Sequence, residues 1–166
     1  PLVFVSLGTV ASDRPDFYRA ALDALGSRGW RAVVATGRTD PDALGPIPAN
    51  VIAAPYVPQL AVLGEADVFV SHGGMNSTME SLTLGVPLVI VPQLADQFQN
   101  AEQVQALGLG RAIISGNPTA GELLEAIDAV LGDPAIRQNL RAMQAEIDAA
   151  GGVIAAANAV EALLRD

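Results

Sequence analysis

Residues 67–84 have the sequence DVFVSHGGMNSTMESLTL, in which an apolar run passes through two glycines directly into a helical pattern. The run Asp67–Val70 is short and rich in Val, which is typical of a strand buried on both faces. The stretch Met75–Leu84 is amphipathic and has the length of a helix. A buried strand followed at once by a helix predicts a parallel sheet with helices packed on it.

The same alternation extends over the rest of the chain. Five further apolar runs predict buried strands at Val3–Leu7, Ala32–Ala35, Val51–Ala54, Leu88–Val91 and Arg111–Ile114. Six further stretches predict helices at Asp16–Leu25, Pro58–Ala66 (with Pro58 as its first residue), Gln97–Leu107, Ala120–Leu131, Pro134–Ala149 and Val153–Leu164. We therefore predict one α/β domain over residues 1–166, a doubly wound, Rossmann-like six-stranded parallel sheet with helices on both faces.

The order of strands and helices also predicts where a ligand binds. Doubly wound sheets commonly have the strand order 3-2-1-4-5-6, and their ligands bind where the order reverses, beside strands 1 and 4. The loop after strand 1 contains Gly8 and Thr9, and the loop after strand 4 contains His72, the only histidine of the chain. We expect these two loops to form the ligand site.

The composition argues against several classes of protein. A net charge of −9 with no lysine gives no electrostatic basis for binding nucleic acid. None of the apolar runs approaches the roughly 20 residues that cross a bilayer, so we expect no membrane insertion and a cytoplasmic protein. The absence of cysteine excludes thiol catalysis and Cys-ligated metals, and the absence of lysine excludes a P-loop.

The residues around His72 predict an anion site. Free backbone N–H groups and the positive end of the helix dipole face the loop, and Gly73 and Gly74 allow a ligand to approach closely. His72, Asn76 and Ser77 add side-chain donors, which a diphosphate would satisfy. The alternative is that Asn76 and Ser77 cap the helix and His72 packs in a loop.

Three other residues have both a ligand-binding and a structural interpretation. Glu80 lies one turn after Asn76 and could accept hydrogen bonds from ribose hydroxyls, or it could be a solvated helix residue. Asp96 and Gln97 follow strand 5 at the same sheet edge and could bind sugar hydroxyls. Asp96 with Gln99 three residues later also fits a variant of the capping box, in which Asp96 begins the helix.

Two further motifs are weaker. Tyr56, in Tyr56-Val57-Pro58-Gln59, could stack on a base, although an aromatic residue beside prolines often only packs. Asp40-Pro41-Asp42 matches the short acidic motif of metal-dependent sugar transferases. Because it lies in a loop rich in Pro and Gly, we expect no metal there.

Three enzyme classes lack their motifs. A dinucleotide oxidoreductase needs G-x-G-x-x-G after strand 1, where only Gly8 stands. A serine hydrolase needs G-x-S-x-G, which does not occur. A glycosidase needs two catalytic carboxylates in one cleft, and Glu80 and Asp96 are better explained as hydroxyl acceptors.

Three motifs together resemble the donor-binding signature of the GT-B glycosyltransferases that act on macrolides, flavonoids and glucuronidation substrates. They are Tyr56-Val57-Pro58-Gln59, the run from His72 to Glu80, and Pro92-Gln93 followed by Asp96-Gln97 and Asn100-Ala101. The resemblance covers nearly the whole chain and corresponds to the C-terminal, nucleotide-sugar-binding domain of these two-domain enzymes.

The resemblance implies a role for each site residue. Tyr56 would stack on the base, Val57 would read its edge through backbone atoms, and Gln59 and Glu80 would bind ribose. The diphosphate would be held by Thr9, His72, Asn76 and Ser77 beside Gly74, and Asp96 and Gln97 would contact the donor sugar. The tyrosine departs from the tryptophan common in plant members, so uridine and thymidine donors both stay open.

The expected function is therefore that of the donor-binding domain of a metal-independent, inverting glycosyltransferase. It would move a hexose from a UDP- or dTDP-sugar, its donor substrate, to a hydroxyl of a small lipophilic acceptor, with no cofactor and no metal. In the family the catalytic base lies in an N-terminal acceptor-binding domain, so we expect this chain alone to be inactive. The alternative is a natural subunit that meets its acceptor half as a separate polypeptide.

Overall fold

A computed structural model describes residues 1–10 and 12–164 and contains one six-stranded parallel sheet. The strands are β1 (Leu2–Ser6), β2 (Arg31–Ala35), β3 (Val51–Ala54), β4 (Val68–Ser71), β5 (Leu88–Ile90) and β6 (Gly110–Ala112). Their order in the sheet is β3-β2-β1-β4-β5-β6, which confirms the predicted order. The order of the strands reverses between β1 and β4.

Seven α-helices connect or follow the strands of the described chain. They are α1 (Pro15–Gly26), α2 (Gln59–Leu63), α3 (Met75–Thr83), α4 (Gln97–Ala106), α5 (Ala120–Gly132), α6 (Pro134–Ala149) and α7 (Gly152–Leu163). Helices α1 and α5 pack against each other, whereas α3 contacts α2, α4 and α6. The two groups form the two helical layers of a doubly wound fold, as predicted.

The centre of the core is the pairing of β1 with β4. Phe4 lies directly opposite Phe69, and their rings stack with centroids 4.7 Å apart. Both side chains are fully buried, and so are the four valines of these two strands, whereas Leu2 at the start of β1 is partly exposed. Burial of this aromatic pair adds to the packing at the centre of the sheet.

The structure corrects three details of the predicted elements. The edge strands β3 and β6 are partly exposed, as at Ile52 and Arg111, because each has a neighbouring strand on one side only. Helix α2 ends at Leu63, since the following N–H groups of Glu65 and Ala66 bond three residues back and form turns. Pro58 has a non-helical ψ of 87° and precedes the helix. The other boundaries differ from the predicted ones by one or two residues at most.

The last two helices, α6 and α7, differ in how much of their surface is buried. Helix α6 packs against α3, and its Asn139 and Gln144 donate to the carbonyls of Gly108 and Thr83 at the ends of neighbouring helices. Helix α7 has no buried residue. Within the described part of the chain, no helix combines the length and apolar character that a bilayer crossing needs.

A substitution at Gly110 in the edge strand β6 tests how closely the sheet edge is packed. A Cβ at this position would lie 2.0 Å from the carbonyl oxygen of Leu88 in β5. We expect Gly110→Ala to lower the free energy of unfolding by about 1–3 kcal/mol, because backbone atoms cannot move aside. Gly121→Ala in α5 is the matched control, since its Cβ meets only Thr119 Oγ1 at 3.9 Å. We expect the control to be neutral or more stable by up to about 1 kcal/mol. Chemical denaturation of both variants measures the difference, and equal stabilities would contradict the proposed clash.

Candidate functional site

Two identical turns end the central strands. Ser6 and Ser71 are paired in the sheet, and each hydroxyl accepts a hydrogen bond from the N–H two residues ahead, that of Gly8 at 3.2 Å and of Gly73 at 3.1 Å. Both glycines have positive φ, 74° and 81°, which L side chains rarely adopt. The two loops therefore leave the sheet side by side, as the sequence predicts.

His72 is held in a slot between these loops. A Cβ on Gly8 would lie 2.7 Å from His72 Cε1, and a Cβ on Gly74 would lie 2.4 Å from His72 Nε2. The imidazole ring fits between Gly8 and Gly74 because neither residue has a side chain. His72 Nδ1 is buried and has no hydrogen-bond partner among the described residues, so Nε2 is the nitrogen that faces the cleft.

The surroundings favour the neutral form of His72. Burial lowers the pKa of the imidazole below its ordinary value, against a smaller opposing effect of the Asp96 carboxylate. A second N–H on Nδ1 would be buried without an acceptor, which adds to the cost of protonation. We assign the tautomer with hydrogen on Nε2, which donates into the cleft.

The beginning of α3 offers further donors. Gly74 is the N-cap residue and no side chain caps the helix, so the N–H groups of its first turn are free. The alternative in which Asn76 and Ser77 cap this helix is wrong. Asn76 is exposed, and Ser77 bonds with Gln59 from the next helix.

These groups line one cleft of about 480 Å³. The structure brings seven of the predicted site residues together here: Thr9, Gln59, His72, Gly74, Asn76, Ser77 and, from the first turn of α4, Gln97. The remaining wall is Gly8 and the apolar side chains of Val10, Met75 and Leu94. The cleft is therefore a set of N–H and amide donors within an apolar rim.

Gln59 connects the cleft to Glu80. Its amide nitrogen donates to Ser77 Oγ at 3.1 Å and to Glu80 Oε2 at 2.6 Å. Glu80 is half-buried and held in place, so the interpretation as a solvated helix residue is wrong. Glu80 retains oxygen lone pairs that can accept hydrogen bonds from hydroxyls.

Tyr56 lies outside the cleft, in a depression that it shares with Gln59. It is 82% exposed, so it does not simply pack beside the prolines. The depression that it shares with Gln59 also includes Glu80, and Tyr56 borders a second depression together with Val57, Gly8 and Thr9. Val57 packs against the core, which fixes the backbone beside the exposed ring.

Asp96 and Gln97 have different positions from those that capping would require. Asp96 directly precedes α4 with helical backbone angles, and its side chain makes no capping bond, so the capping-box interpretation is wrong. Gln97 instead supports the loop before α4, because its Oε1 accepts from the N–H groups of Gln93 at 2.8 Å and Leu94 at 3.1 Å. Its Nε2 is left for the cleft. Asp96 is exposed, lies outside the lining of the cleft and acts on His72 through its charge.

The acidic motif at residues 40–42 is structural. It begins a 3₁₀ turn at Pro41–Leu44, and the Asp40 carboxylate accepts a hydrogen bond from the Asp42 N–H at 3.0 Å. Across residues 1–10 and 12–164, no group of three or more His, Asp and Glu is arranged to hold a metal ion.

Sequence reasoning missed the residues that hold the loops. Asn100 donates to the Gly73 carbonyl at 2.8 Å and fixes the turn that carries His72. Arg14 and Gln93 join three loops at the sheet edge. Asn100 and Gln93 lie within the motifs of the family resemblance, whereas nothing in the local sequence marks Arg14.

A doubly wound sheet with a donor-lined cleft at its switch point defines a Rossmann-like nucleotide-binding domain. Comparison with known proteins narrows this class. The sequence matches the family described as UDP-glucoronosyl and UDP-glucosyl transferase over residues 1–146. It is 42% identical to the NDP-glycosyltransferase YjiC of Bacillus subtilis, over 99% of this chain and 42% of that protein.

Two further similarities point the same way. The chain is 41% identical to the oleandomycin glycosyltransferase of Streptomyces antibioticus, over 98% of this chain and 38% of that protein. The crystal structure of CalG4, the calicheamicin glycosyltransferase, superposes with a TM-score of 0.92 at 37% identity, over 99% of this chain and 43% of that one.

The chain belongs to the UDP-glucoronosyl and UDP-glucosyl transferase family, and its fold is that of the nucleotide-sugar-binding half of GT-B glycosyltransferases. It spans 42% and 38% of the two relatives it was compared with.

The buried imidazole predicts a pH dependence of stability. The unfolded chain protonates His72 near pH 6.5, above the lowered pKa of the folded chain. The contribution of this group to stability is therefore complete above about pH 6.5 and is lost as the pH falls towards the folded pKa. We expect wild type to lose more thermal stability than His72→Asn between about pH 7.5 and 5.5. Calorimetric melting curves of both proteins test this, and parallel pH profiles would refute the assignment.

Proposed function

We propose that this chain is the donor-binding domain of a metal-independent, inverting glycosyltransferase that moves a hexose from a UDP- or dTDP-sugar to a hydroxyl of a small lipophilic acceptor. The observation that carries the proposal is the cleft in which the uncapped start of α3 and His72 Nε2 converge. Inversion at the anomeric carbon is included on the strength of the family resemblance alone.

The diphosphate is assigned to this convergence. Thr9, His72, Asn76 and Ser77 offer neutral donors, and the free N–H groups of α3 add the positive end of a helix dipole. In the transfer reaction negative charge grows on the departing diphosphate. Donors already in place stabilise that charge without reorganising, which is the task other transferases give to a metal ion.

The nucleoside is assigned to the side of the cleft beyond Gln59. Tyr56 offers an exposed aromatic face for the base, and the Val57 backbone lies beside it. The ribose hydroxyls would donate to Glu80, whose carboxylate is already oriented by the Gln59 amide. The donor sugar then lies towards the start of α4, near Gln97 and Asp96.

The same proposal makes this chain inactive by itself. An acceptor hydroxyl needs a base within hydrogen-bond reach, and the sole histidine is committed to the phosphate. Glu80 is occupied by Gln59 and ribose, and Asp96 is exposed at the entrance. We therefore assign the base and most of the acceptor pocket to an N-terminal domain, in the same chain or a separate one.

Nucleotide binding is the direct test. Titration calorimetry of UDP, dTDP and UDP-glucose against wild type should show binding that EDTA leaves unchanged. His72→Ala should weaken it by about 1.5–3 kcal/mol, because a hydrogen bond to a charged phosphate is lost. His72→Asn retains one donor and should lose less. Equal affinities of wild type and His72→Ala would remove His72 from the site, and loss of binding in EDTA would contradict metal independence.

The sugar subsite predicts a different pattern. Gln97→Ala should weaken UDP-glucose more than UDP, because the amide N–H groups that contact the hexose are lost. Gln97→Glu is the matched control, since it keeps the oxygen that accepts from Gln93 and Leu94 but lacks the amide donors. We expect Gln97→Glu to melt close to wild type and still to lose sugar-dependent affinity, by up to about tenfold. If both variants weaken the two ligands equally, Gln97 only supports the loop.

A further inference from the structure

One arginine links three loops at the edge of the sheet that carries the cleft. The Arg14 guanidinium donates to Gln93 Oε1 in the loop before α4. It also donates to two acceptors in the loop after β6, the Gly116 carbonyl at 2.9 Å and Asn117 Oδ1. Its own backbone N–H donates to Thr39 Oγ1 at 3.1 Å. Arg14 is thus fixed at both ends, and in the described structure all of these partners are uncharged.

Gln93 connects Arg14 to the cleft by hydrogen bonds. Its side-chain oxygen is held by Arg14, and its side-chain nitrogen donates to the Val91 carbonyl at 2.8 Å. Its backbone N–H donates to Gln97 Oε1 at 2.8 Å. A continuous set of hydrogen bonds therefore runs from Arg14 through Gln93 to the side chain that faces the donor sugar.

The loop between Gln93 and Gln97 needs such support. Ala95 has a φ of 52°, and in the described structure it is the only residue other than glycine with a positive φ. This conformation is strained for an L residue, and it persists only where the surroundings impose it. Leu94, Ala95 and Asp96 are exposed, so packing does not impose it. The hydrogen bonds of Gln93 and Gln97, on either side of Ala95, hold the loop in this conformation instead.

We propose that Arg14 is a positioning residue for the sugar end of the donor site. The inference rests on the proposed function and assigns to Arg14 no contact with the ligand, since Arg14 does not line the cleft. Arg14 fixes Gln93, and Gln93 sets the direction of the Gln97 amide. Its loss therefore affects the hexose and leaves the nucleotide, which binds to α3 and the His72 loop, nearly untouched.

The test compares the affinities of UDP and UDP-glucose, measured by calorimetry, for wild type and three variants. Arg14→Met keeps the length of the side chain and removes its donors, and Arg14→Lys keeps the charge with a single donor group. Arg19→Ala is the control for loss of charge, because Arg19 lies on α1 in an exposed ion pair with Asp16.

We expect Arg14→Met to weaken UDP-glucose by about three- to tenfold and UDP by less than about twofold, with Arg14→Lys intermediate and Arg19→Ala like wild type. The ratio of the two affinities is the readout, because a general loss of structure lowers both in proportion. A proportional loss, or no loss, in Arg14→Met would overturn the proposal while leaving the donor site intact. A wild-type protein that binds neither ligand would instead overturn the proposed function.

Discussion

The parallel pairing of β1 with β4 is the interaction on which the rest of the structure depends. It places Phe4 on Phe69 in the core, and at its carboxyl end it places Ser6 beside Ser71. Each serine then turns its own chain through a glycine with positive φ. The same strand register that packs the core therefore brings Gly8 and His72 together, and a slip of one residue would separate them.

The proposed site would bind an anion with neutral groups. The chain carries a net charge of −9, and its cleft contains no lysine or arginine. Attraction must therefore come from short-range donors and the helix dipole, which act within the first turn of α3. A neutral His72 fits this proposal, because it points one N–H into the cleft and leaves no unpaired charge in the free protein. Selectivity then depends on the geometry of the donors more than on long-range charge.

The sequence was sufficient for the fold and for most of the cleft. Buried apolar runs alternating with amphipathic stretches determine strand order, and the switch-point rule located Thr9 and His72 from that order alone. The sequence could not decide whether Asp96 caps α4 or contacts a ligand, because a carboxylate before a helix fits both roles and only the folded chain shows that the capping bond is missing. Arg14 was missed for a similar reason. The partners of its guanidinium lie 79 to 103 residues away, and only the folded chain brings them together.

The sheet order also has a consequence for the way the chain folds. Strand β1 pairs on one side with β2, Leu2 opposite Arg31, and on the other side with β4, Val3 opposite Val68. The second pairing closes a much longer loop, and such non-local pairings slow folding. Both glycine turns flank that late pairing, so a partly folded chain in which only β1, β2 and β3 have assembled has no cleft. A ligand that binds the cleft then stabilises the complete fold alone and draws folding intermediates towards it by mass action.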